Sequence, residues 1–356
     1  MIEYKIIQQH NDPDLIDFIN YVFSANSRPH DFIKLLPKVY EPQAQPDVVH
    51  LSAQEEGKIR AVVSVYIYTL CHGELSLKVG FIGNVSVHPY HRGKGYMIKL
   101  MEMARQTMLE QHCDIAMLTG QRQRYEYFGY YEGCLEAGIR VDATNLRHVL
   151  GRDYVSPLEV TTEFDLDEVY AIYNQQPVCG HDKKTFEVVC RGWSSQLMAV
   201  KENGVTIGYI VAGENHDSWL DCALPQGKYL QAMSAYMKKF GVKSVGVGKP
   251  LYDQDAIKEV GSVGGCQLHW SAMIQALNWE NVLRWSLTVQ KAGDGDAQVG
   301  PYHVAVHGGS VTVEKNCDNP MPDPNMMFNL FPVTEQEQYP RGWFPLLLWV
   351  SHADHF

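Results

Sequence analysis

A chain of 356 residues is longer than one typical hydrophobic core requires, and this length predicts two or three domains. Its 45% hydrophobic and 20% charged residues are typical of a chain that folds throughout, which excludes a disordered protein. The formal net charge of −11, with no cluster of Lys and Arg, argues against a nucleic-acid binder and favours a cationic partner.

The eight cysteines are scattered and include no C-x-x-C pair, a pattern typical of reduced thiols. No basic and apolar leader opens the sequence, and it holds no run of about 18 apolar residues. We therefore expect a cytoplasmic protein that neither crosses nor binds a membrane.

The first 150 residues alternate strand and helix patterns, which predicts an α/β fold with a mixed sheet. Strands are predicted at 3–8, 48–54, 59–68, 79–87 and 114–119, with the polar turn 55–58 joining a hairpin. Helices are predicted at 14–23 and 96–110, and a short helix or turn at 121–128.

The same order of elements recurs farther along the chain, which indicates a duplication. In this second copy we predict strands at 196–201, 206–212, 219–223 and 243–247, and helices at 166–173, 228–240 and 252–260. A helix at 279–287 and a hairpin at 302–306 and 310–314 follow, in a small α+β module. The predicted domains are 1–150, 151–277 and 278–356.

The strongest local signal is a turn between an apolar strand and an amphipathic helix. Gly93 and Gly95 remove side chains where a phosphate would approach the backbone, and the free amides of the helix's first turn form an anion site. Arg92 and Lys94 add positive charge. Neither a P-loop nor a Rossmann G-x-G-x-x-G is present, so the turn predicts a pyrophosphate site of another kind.

These residues resemble the coenzyme A turn of the GCN5-related N-acetyltransferase (GNAT) superfamily, R/Q-x-x-G-x-G/A after a strand. The bulky Met97 stands where that pattern has a small residue, as it does in tandem acetyltransferases of the Eis (enhanced intracellular survival) type. The resemblance implies an active GNAT domain, a degenerate second one and a sterol-carrier-protein-like C-terminal module. It also implies acetyl-CoA as co-substrate, bound by Val85, Ser86, Val87, Arg92, Gly93, Lys94, Gly95, Tyr96, Met97 and Ile98.

A second block, 123–130, resembles the family's Y-x-x-F-G-Y segment and places its general acid on Tyr125. A phenol, with a pKa of about 10, can protonate a departing thiolate. Tyr127 and Tyr130 are interpreted as core or pocket wall. In Eis-type proteins the base is the C-terminal carboxylate, here that of Phe356.

Other candidates for the base stay open, namely Glu126, His88 and His91. The resemblance implies a small cationic amine as acceptor: an aminoglycoside, a polyamine or a lysine. Asp31, Glu41 and Glu126 are candidate acidic walls for it. We also expect a homo-oligomer. The alternative to an enzyme is a non-catalytic acyl-CoA or lipid sensor.

Two features of the later sequence are set aside. His303 and His307 share a strand face without a third ligand, so we expect structural histidines and no metal. The second copy's turn, 224–228, lacks both the arginine and the paired glycines, which predicts one coenzyme site per chain. The glycines at 246 and 248 are interpreted as a strand end.

Overall fold

The computed structural model describes residues 1–316, 326, 330, 331 and 337–355. They form two compact units. Unit 1 consists of Met1–Cys134 and Ala272–Leu347, and unit 2 of Leu135–Ser271 and Leu348–His355. No helix within the described ranges is long and apolar enough to cross a membrane.

The first part of unit 1 is a twisted sheet with helices, as the alternating pattern predicts. Its strands are β1 (Ile2–Ile7), β2 (Val48–Glu55), β3 (Lys58–His72), β4 (Leu75–Val87) and β5 (Ile115–Leu118). Its helices are α1 (Pro13–Asn26), α2 (Phe32–Leu35), α3 (Pro37–Tyr40), α4 (Tyr96–Glu110) and α5 (Arg122–Tyr125). The strands lie in sequence order, and all neighbours are antiparallel except β4 and β5.

Helix α4 covers one face of this sheet because its apolar residues recur at helical spacing. The buried side chains of α4 are Tyr96, Leu100, Met101, Ala104 and Met108, which pack on β2, β3 and β4. Gly80 in β4 allows the close approach, since a Cβ there would lie 2.5 Å from the Met108 sulfur. The other long helix, α1, packs against β3 and β4.

Unit 2 repeats this order of elements, which agrees with the recurrence predicted from the sequence. The chain enters it through β6 (Tyr131–Asp142) and α6 (Ala143–Leu150). The repeat itself comprises β7 (Leu158–Thr161), α7 (Leu166–Tyr173), α8 (Lys183–Val189), β8 (Gln196–Glu202), β9 (Val205–Ala212), β10 (Ser218–Ala223), α9 (Tyr229–Phe240), β11 (Ser244–Pro250), α10 (Gln254–Gly261) and β12 (Gly265–Ala276). As in unit 1, one neighbouring pair, β10 and β11, is parallel.

Each unit takes its sixth strand from the other repeat. In unit 1, Met273–Ala276 of β12 pairs with β5, and in unit 2 Glu136–Asp142 of β6 pairs with β11. The compact units therefore divide inside β6 and β12, whereas the predicted boundaries at 150 and 277 follow the order of the repeats. Neither strand is predicted from the sequence.

The rest of unit 1 is the helix and hairpin predicted after residue 278. Helix α11 (Trp279–Val289) packs against β4 and against the last strand of a small antiparallel sheet. That sheet has the order β13 (Gly295–Val299), β14 (Tyr302–His307) and β15 (Ser310–Lys315). The apolar end of the chain, predicted at 343–350, runs into the tail Leu348–His355 of unit 2.

Candidate active site

The glycine turn begins helix α4 in the way the motif predicts. Gly93 and Gly95 both have φ of +78°, a left-handed conformation that favours glycine, while a Cβ at either position would meet open space. Glycine is thus required for backbone conformation rather than for clearance. Gly95 is the N-cap and offers no side chain, and the first helical bond runs from the Lys99 amide to the Gly95 carbonyl at 3.3 Å.

The amides of Tyr96, Met97 and Ile98 consequently have no acceptor in the described structure, and they form the positive end of α4. The bulky Met97 is accommodated because its side chain packs partly against the core of unit 1. The helix start has the free donors that a pyrophosphate needs.

Cations flank this turn. The Arg92 guanidinium donates to the Asn26 side-chain oxygen at 3.0 Å, and Lys94 Nζ lies 3.2 Å from His91 Nδ1. Glu55 is shared among Lys94, His91 and Arg60, at 3.9, 3.3 and 3.8 Å. Because one carboxylate faces several basic groups, the turn keeps a surplus of positive charge.

A slot lies beside the turn, because strand β4 extends beyond the end of β5. The two parallel strands pair only from Val79 with Ile115 to Ile82 with Leu118, and β4 then continues to Val87 with β3 alone. Among the described residues, no strand pairs with the other backbone edge of 85–87. In parallel sheets ligands bind at the carboxyl ends of strands where neighbours diverge.

The divergence coincides with a bulge at Asn84. The register with β3 shifts between Val62 and Ser64, and Asn84 has a positive φ of 52°. Its side-chain amide donates to the hydroxyl of Tyr40, which is fully buried at the end of α3. The sequence does not predict this contact. Its one sign in the sequence is a polar residue inside an apolar strand.

Tyr40 belongs to a buried polar network beneath the bulge. Its ring stacks on His50 with centroids 5.7 Å apart, and His50 Nδ1 lies 2.7 Å from the Ser64 hydroxyl. Burial lowers the pKa of His50 to about 4, so the imidazole is neutral. Burial raises the pKa of Tyr40, which keeps the phenol protonated.

Tyr125 lies at the same edge of the sheet. It ends α5, just after β5, and its ring rests on Gly120 so closely that a Cβ at that glycine would collide with it. Because parallel strands carry their carboxyl ends at one edge, Tyr125 and the end of β4 share it. Burial raises the pKa of Tyr125, partly offset by Arg124.

The neighbouring tyrosines differ. Tyr130 is 2% exposed and lies in the core, as predicted. Tyr127, interpreted as core or pocket wall, does not lie in the core, because its side chain is 72% exposed; its ring packs edge-on against Phe128. Tyr127 is the middle residue of a 3-10 turn, Glu126–Phe128, which directs its side chain to solvent.

The candidate bases have different surroundings. Glu126 already accepts a 2.5 Å hydrogen bond from Arg122, which also lies 3.3 Å from Glu132. The pKa of His88 is lowered by burial and by His91, and that of His91 by desolvation and by Lys94, so both imidazoles favour the neutral form. Phe356 lies outside the described residues.

The predicted acidic walls lie around the short helices α2 and α3. Asp31 is the N-cap of α2 and pairs with Lys34 at 2.9 Å, which lowers the pKa of Asp31. Glu41 follows α3 and accepts a 2.7 Å bond from Gln43. Both flank the segment whose Tyr40 reaches the β4 bulge.

In both units two parallel strands separate beside the start of a helix, and we call this arrangement the fork. In unit 2, the fork between β10 and β11 is filled by side chains of the unit itself. At the start of α9, the Glu259 carboxylate accepts from the amides of Gly227 and Leu230 at 2.7 and 3.0 Å. Where β10 leaves β11, the buried Lys249 ammonium donates to the Cys222 carbonyl at 2.9 Å. A carboxylate thus stands where unit 1 leaves free amides.

The described residues offer no group of three or more His, Cys, Asp or Glu side chains that could hold a metal ion. His303 and His307 do share one face of β14, and both approach Asp296, at 3.8 and 3.2 Å. The predicted strand end at Gly246 and Gly248 lies inside β11 instead.

Comparison with known proteins agrees with this geometry. Residues 3–133 match the family model of an acetyltransferase (GNAT) domain, while no curated protein matches the sequence. A protein of unknown function from Enterococcus faecalis V583, described as a probable N-acyltransferase, is 14% identical with a TM-score of 0.62, and the match covers 88% of this chain and 85% of that one.

Two further solved structures share the fold. A GCN5-related N-acetyltransferase from Anabaena variabilis is 13% identical with a TM-score of 0.62, covering 90% of this chain and 86% of that one. Eis1 from Mycobacterium abscessus is 14% identical with a TM-score of 0.58, covering 88% and 85%. Residues 3–133 are thus similar to the acetyltransferase (GNAT) domain, and the chain shares the fold of these solved acetyltransferases, including Eis1.

Proposed function

We propose that the chain transfers an acetyl group from acetyl-CoA to a small cationic amine by direct transfer in a ternary complex. The main support for the proposal is the fork of unit 1, which lies beside a helix start whose backbone amides are free. Three amides without acceptors lie at the beginning of α4, next to the unpaired edge of β4. GNAT acetyltransferases use acetyl-CoA, and these two features would hold its pyrophosphate and its thioester arm.

Each residue has one task in this proposal. The amides of 93–98, with Arg92 and Lys94, bind the pyrophosphate, and the backbone of 85–87 orients the thioester. The amine nitrogen attacks the carbonyl carbon, the C–S bond breaks with its electron pair on sulfur, and the Tyr125 phenol donates a proton to the thiolate. Burial favours this role because it keeps the phenol protonated at neutral pH.

The proton lost by the amine needs a base. We propose the Phe356 carboxylate, on the Eis resemblance, with His88 and His91 as alternatives because their pKa values are lowered. Glu126 is less suited, since Arg122 already engages it. Adding one glycine after Phe356 tests the carboxylate, and unchanged turnover would remove it from the mechanism.

A cationic acceptor is supported by the net charge of −11, which steers cations toward the chain. Asp31 and Glu41 lie on the segment that reaches the β4 bulge and are the proposed acidic wall. We further propose a cytoplasmic homo-oligomer with a degenerate second GNAT domain and a sterol-carrier-like module at 278–356. The seven free thiols of the described residues fit a reducing compartment.

The test is release of coenzyme A thiol from acetyl-CoA with a panel of aminoglycosides, polyamines and lysine peptides. Tyr125→Phe should lower kcat by about a hundredfold or more, the usual contribution of a general acid, while the KM for acetyl-CoA changes little. Tyr127→Phe, an exposed neighbour, is the matched control and should be silent. Acetyl-CoA binding without turnover on any amine would instead favour the sensor.

A further inference from the structure

Unit 2 contains a cavity of about 520 Å³ on the sheet face that α9 does not cover. Residues of a strand alternate between faces, and Ala137, Ile139 and Val141 of β6 join the core with α9. Glu136, Gly138 and Arg140 therefore point to the opposite face, where they line the cavity. The cavity also borders Ser218 to Leu220 of β10, where that strand leaves β11.

Three glycines in this face make room for polar side chains of the neighbouring strands. The Glu136 carboxylate lies over Gly248, 2.9 Å from where a Cβ would be, and the Arg140 guanidinium lies over Gly246 at 3.3 Å. Gly138 is covered in the same way by the His269 imidazole. The sheet face therefore presents a charged lining rather than a continuous apolar surface.

The single carboxylate in the lining is fully engaged. Glu136 is 1% exposed, and it accepts from His269 at 2.8 Å, His352 at 2.9 Å and Trp349 at 3.2 Å. Burial alone would raise the pKa of Glu136, but the bond and charge of His352 outweigh it and lower the pKa. The pKa of His352 is raised by Glu136 against the effect of burial, so the two form an ion pair.

Donors remain after this pairing. One nitrogen of the Arg140 guanidinium donates a hydrogen bond to the Ser244 hydroxyl at 2.9 Å. Within the described structure, its other nitrogens make no hydrogen bond. With Glu136 balanced by His352, Arg140 leaves the lining with a net positive charge. The remainder is largely apolar and includes Leu220, while Trp219 borders the cavity on β10 with its ring packed against Tyr236 of α9 on the other face. A ligand that suits this cavity combines an anionic group with an apolar body.

We propose that this cavity binds a small organic carboxylate, whose carboxylate pairs with Arg140 and whose apolar part lies against Leu220. Acyl-CoA is excluded at this fork because Glu259 and Lys249 occupy the positions that its phosphate and its arm would need. The site is thus separate from the acetyl-CoA site of unit 1 and does not depend on the chemistry proposed there.

Benzoate is the probe, measured by calorimetry or ligand-observed NMR on the full chain, with benzamidinium as the probe of opposite charge. Benzoate should bind, and Arg140→Gln should weaken it about tenfold or more, the loss of one charge-assisted hydrogen bond. Gly265→Phe should abolish binding, because a side chain there enters open cavity space: a Cβ would meet no atom within 4 Å. Lys184→Gln, an exposed cation on α8, is the matched control and should bind as the parent does.

Three results would overturn the proposal: no benzoate binding, equal or tighter binding of benzamidinium, or benzoate binding that survives both Arg140→Gln and Gly265→Phe. Thermal melting checks that the variants are folded. We expect both to fold, because Arg140 and Gly265 are exposed. If Gly265→Phe unfolds the chain, Arg140→Gln alone decides the outcome.

Discussion

The Tyr40–Asn84 contact under the β4 bulge gives a sharp test of how the proposed acetyl-CoA slot is held open. Asn84 keeps a φ of 52° in the middle of a strand, and its amide is bonded to the Tyr40 hydroxyl. Both side chains are buried. Tyr40→Phe keeps the ring that stacks on His50 but removes the acceptor, leaving a buried amide unpaired.

The magnitude follows from those two costs. An unpaired buried polar group costs about 1–3 kcal/mol, so Tyr40→Phe should lower the free energy of unfolding by that amount. Asn84→Ala removes both the amide and the residue type that tolerates positive φ, and strain of about 1–2 kcal/mol remains. Asn84→Gly removes the amide yet tolerates the φ, so it should be the milder of the two changes at this position.

Urea unfolding and steady-state kinetics together measure the effect. If the bulge positions 85–87 against the thioester, Asn84→Ala should reduce kcat/KM for acetyl-CoA by about ten- to a hundredfold, while Asn84→Gly retains most of it. Equal losses for the two variants would show that the positive φ is irrelevant. A Tyr40→Phe variant with parental stability and kinetics would refute the reasoning altogether.

Three more predictions concern the two forks. Gly120→Ala should lower kcat through displacement of the Tyr125 ring, seen as a fall in turnover with acetyl-CoA affinity kept; unchanged kcat contradicts that placement. Since burial raises the Tyr125 pKa, the protonated acid persists above the ordinary value, and the alkaline limb of the kcat–pH profile should lie above pH 10, vanishing in Tyr125→Phe. Glu259→Ala should destabilise the chain by about 1–3 kcal/mol in urea without altering kcat, because the amides of Gly227 and Leu230 lose their acceptor; altered kinetics would contradict this.

Local chemistry decided which features could be predicted from the sequence. Helix α4 is predicted at 96–110, as observed, because a glycine turn and an apolar stripe specify both its start and its buried face. The glycine turn before α4 needs no distant residue, so its left-handed glycines could be predicted from the sequence. The sterol-carrier likeness of 278–356 stays a prediction, and its described part contains α11, three strands and the 3-10 turn His352–Asp354.

The missed features all depend on residues far apart in the chain. Strand β6 contains two internal glycines, and both are covered by side chains of the distant strand β12: Gly133 lies under Ile274, and Gly138 under His269. The bulge contact joins residues 44 positions apart. No periodicity or motif records such pairs, since the side chains meet only after the sheet has formed.

The two repeats differ in what accepts hydrogen bonds from the backbone amides at the fork. Free amides at a helix start and an unpaired strand edge are costly unless something accepts from them, and buried polar groups in native proteins are nearly always satisfied. Unit 1 leaves the amides of 96–98 without a protein acceptor, at an exposed turn that a pyrophosphate can reach. In unit 2 the Glu259 carboxylate accepts from amides at the start of α9, and the Lys249 ammonium donates to a carbonyl of β10 where that strand leaves β11. In the proposed function, the residues that satisfy the second fork would exclude coenzyme A from it, which is the physical reason to expect one coenzyme per chain, countable by calorimetric titration.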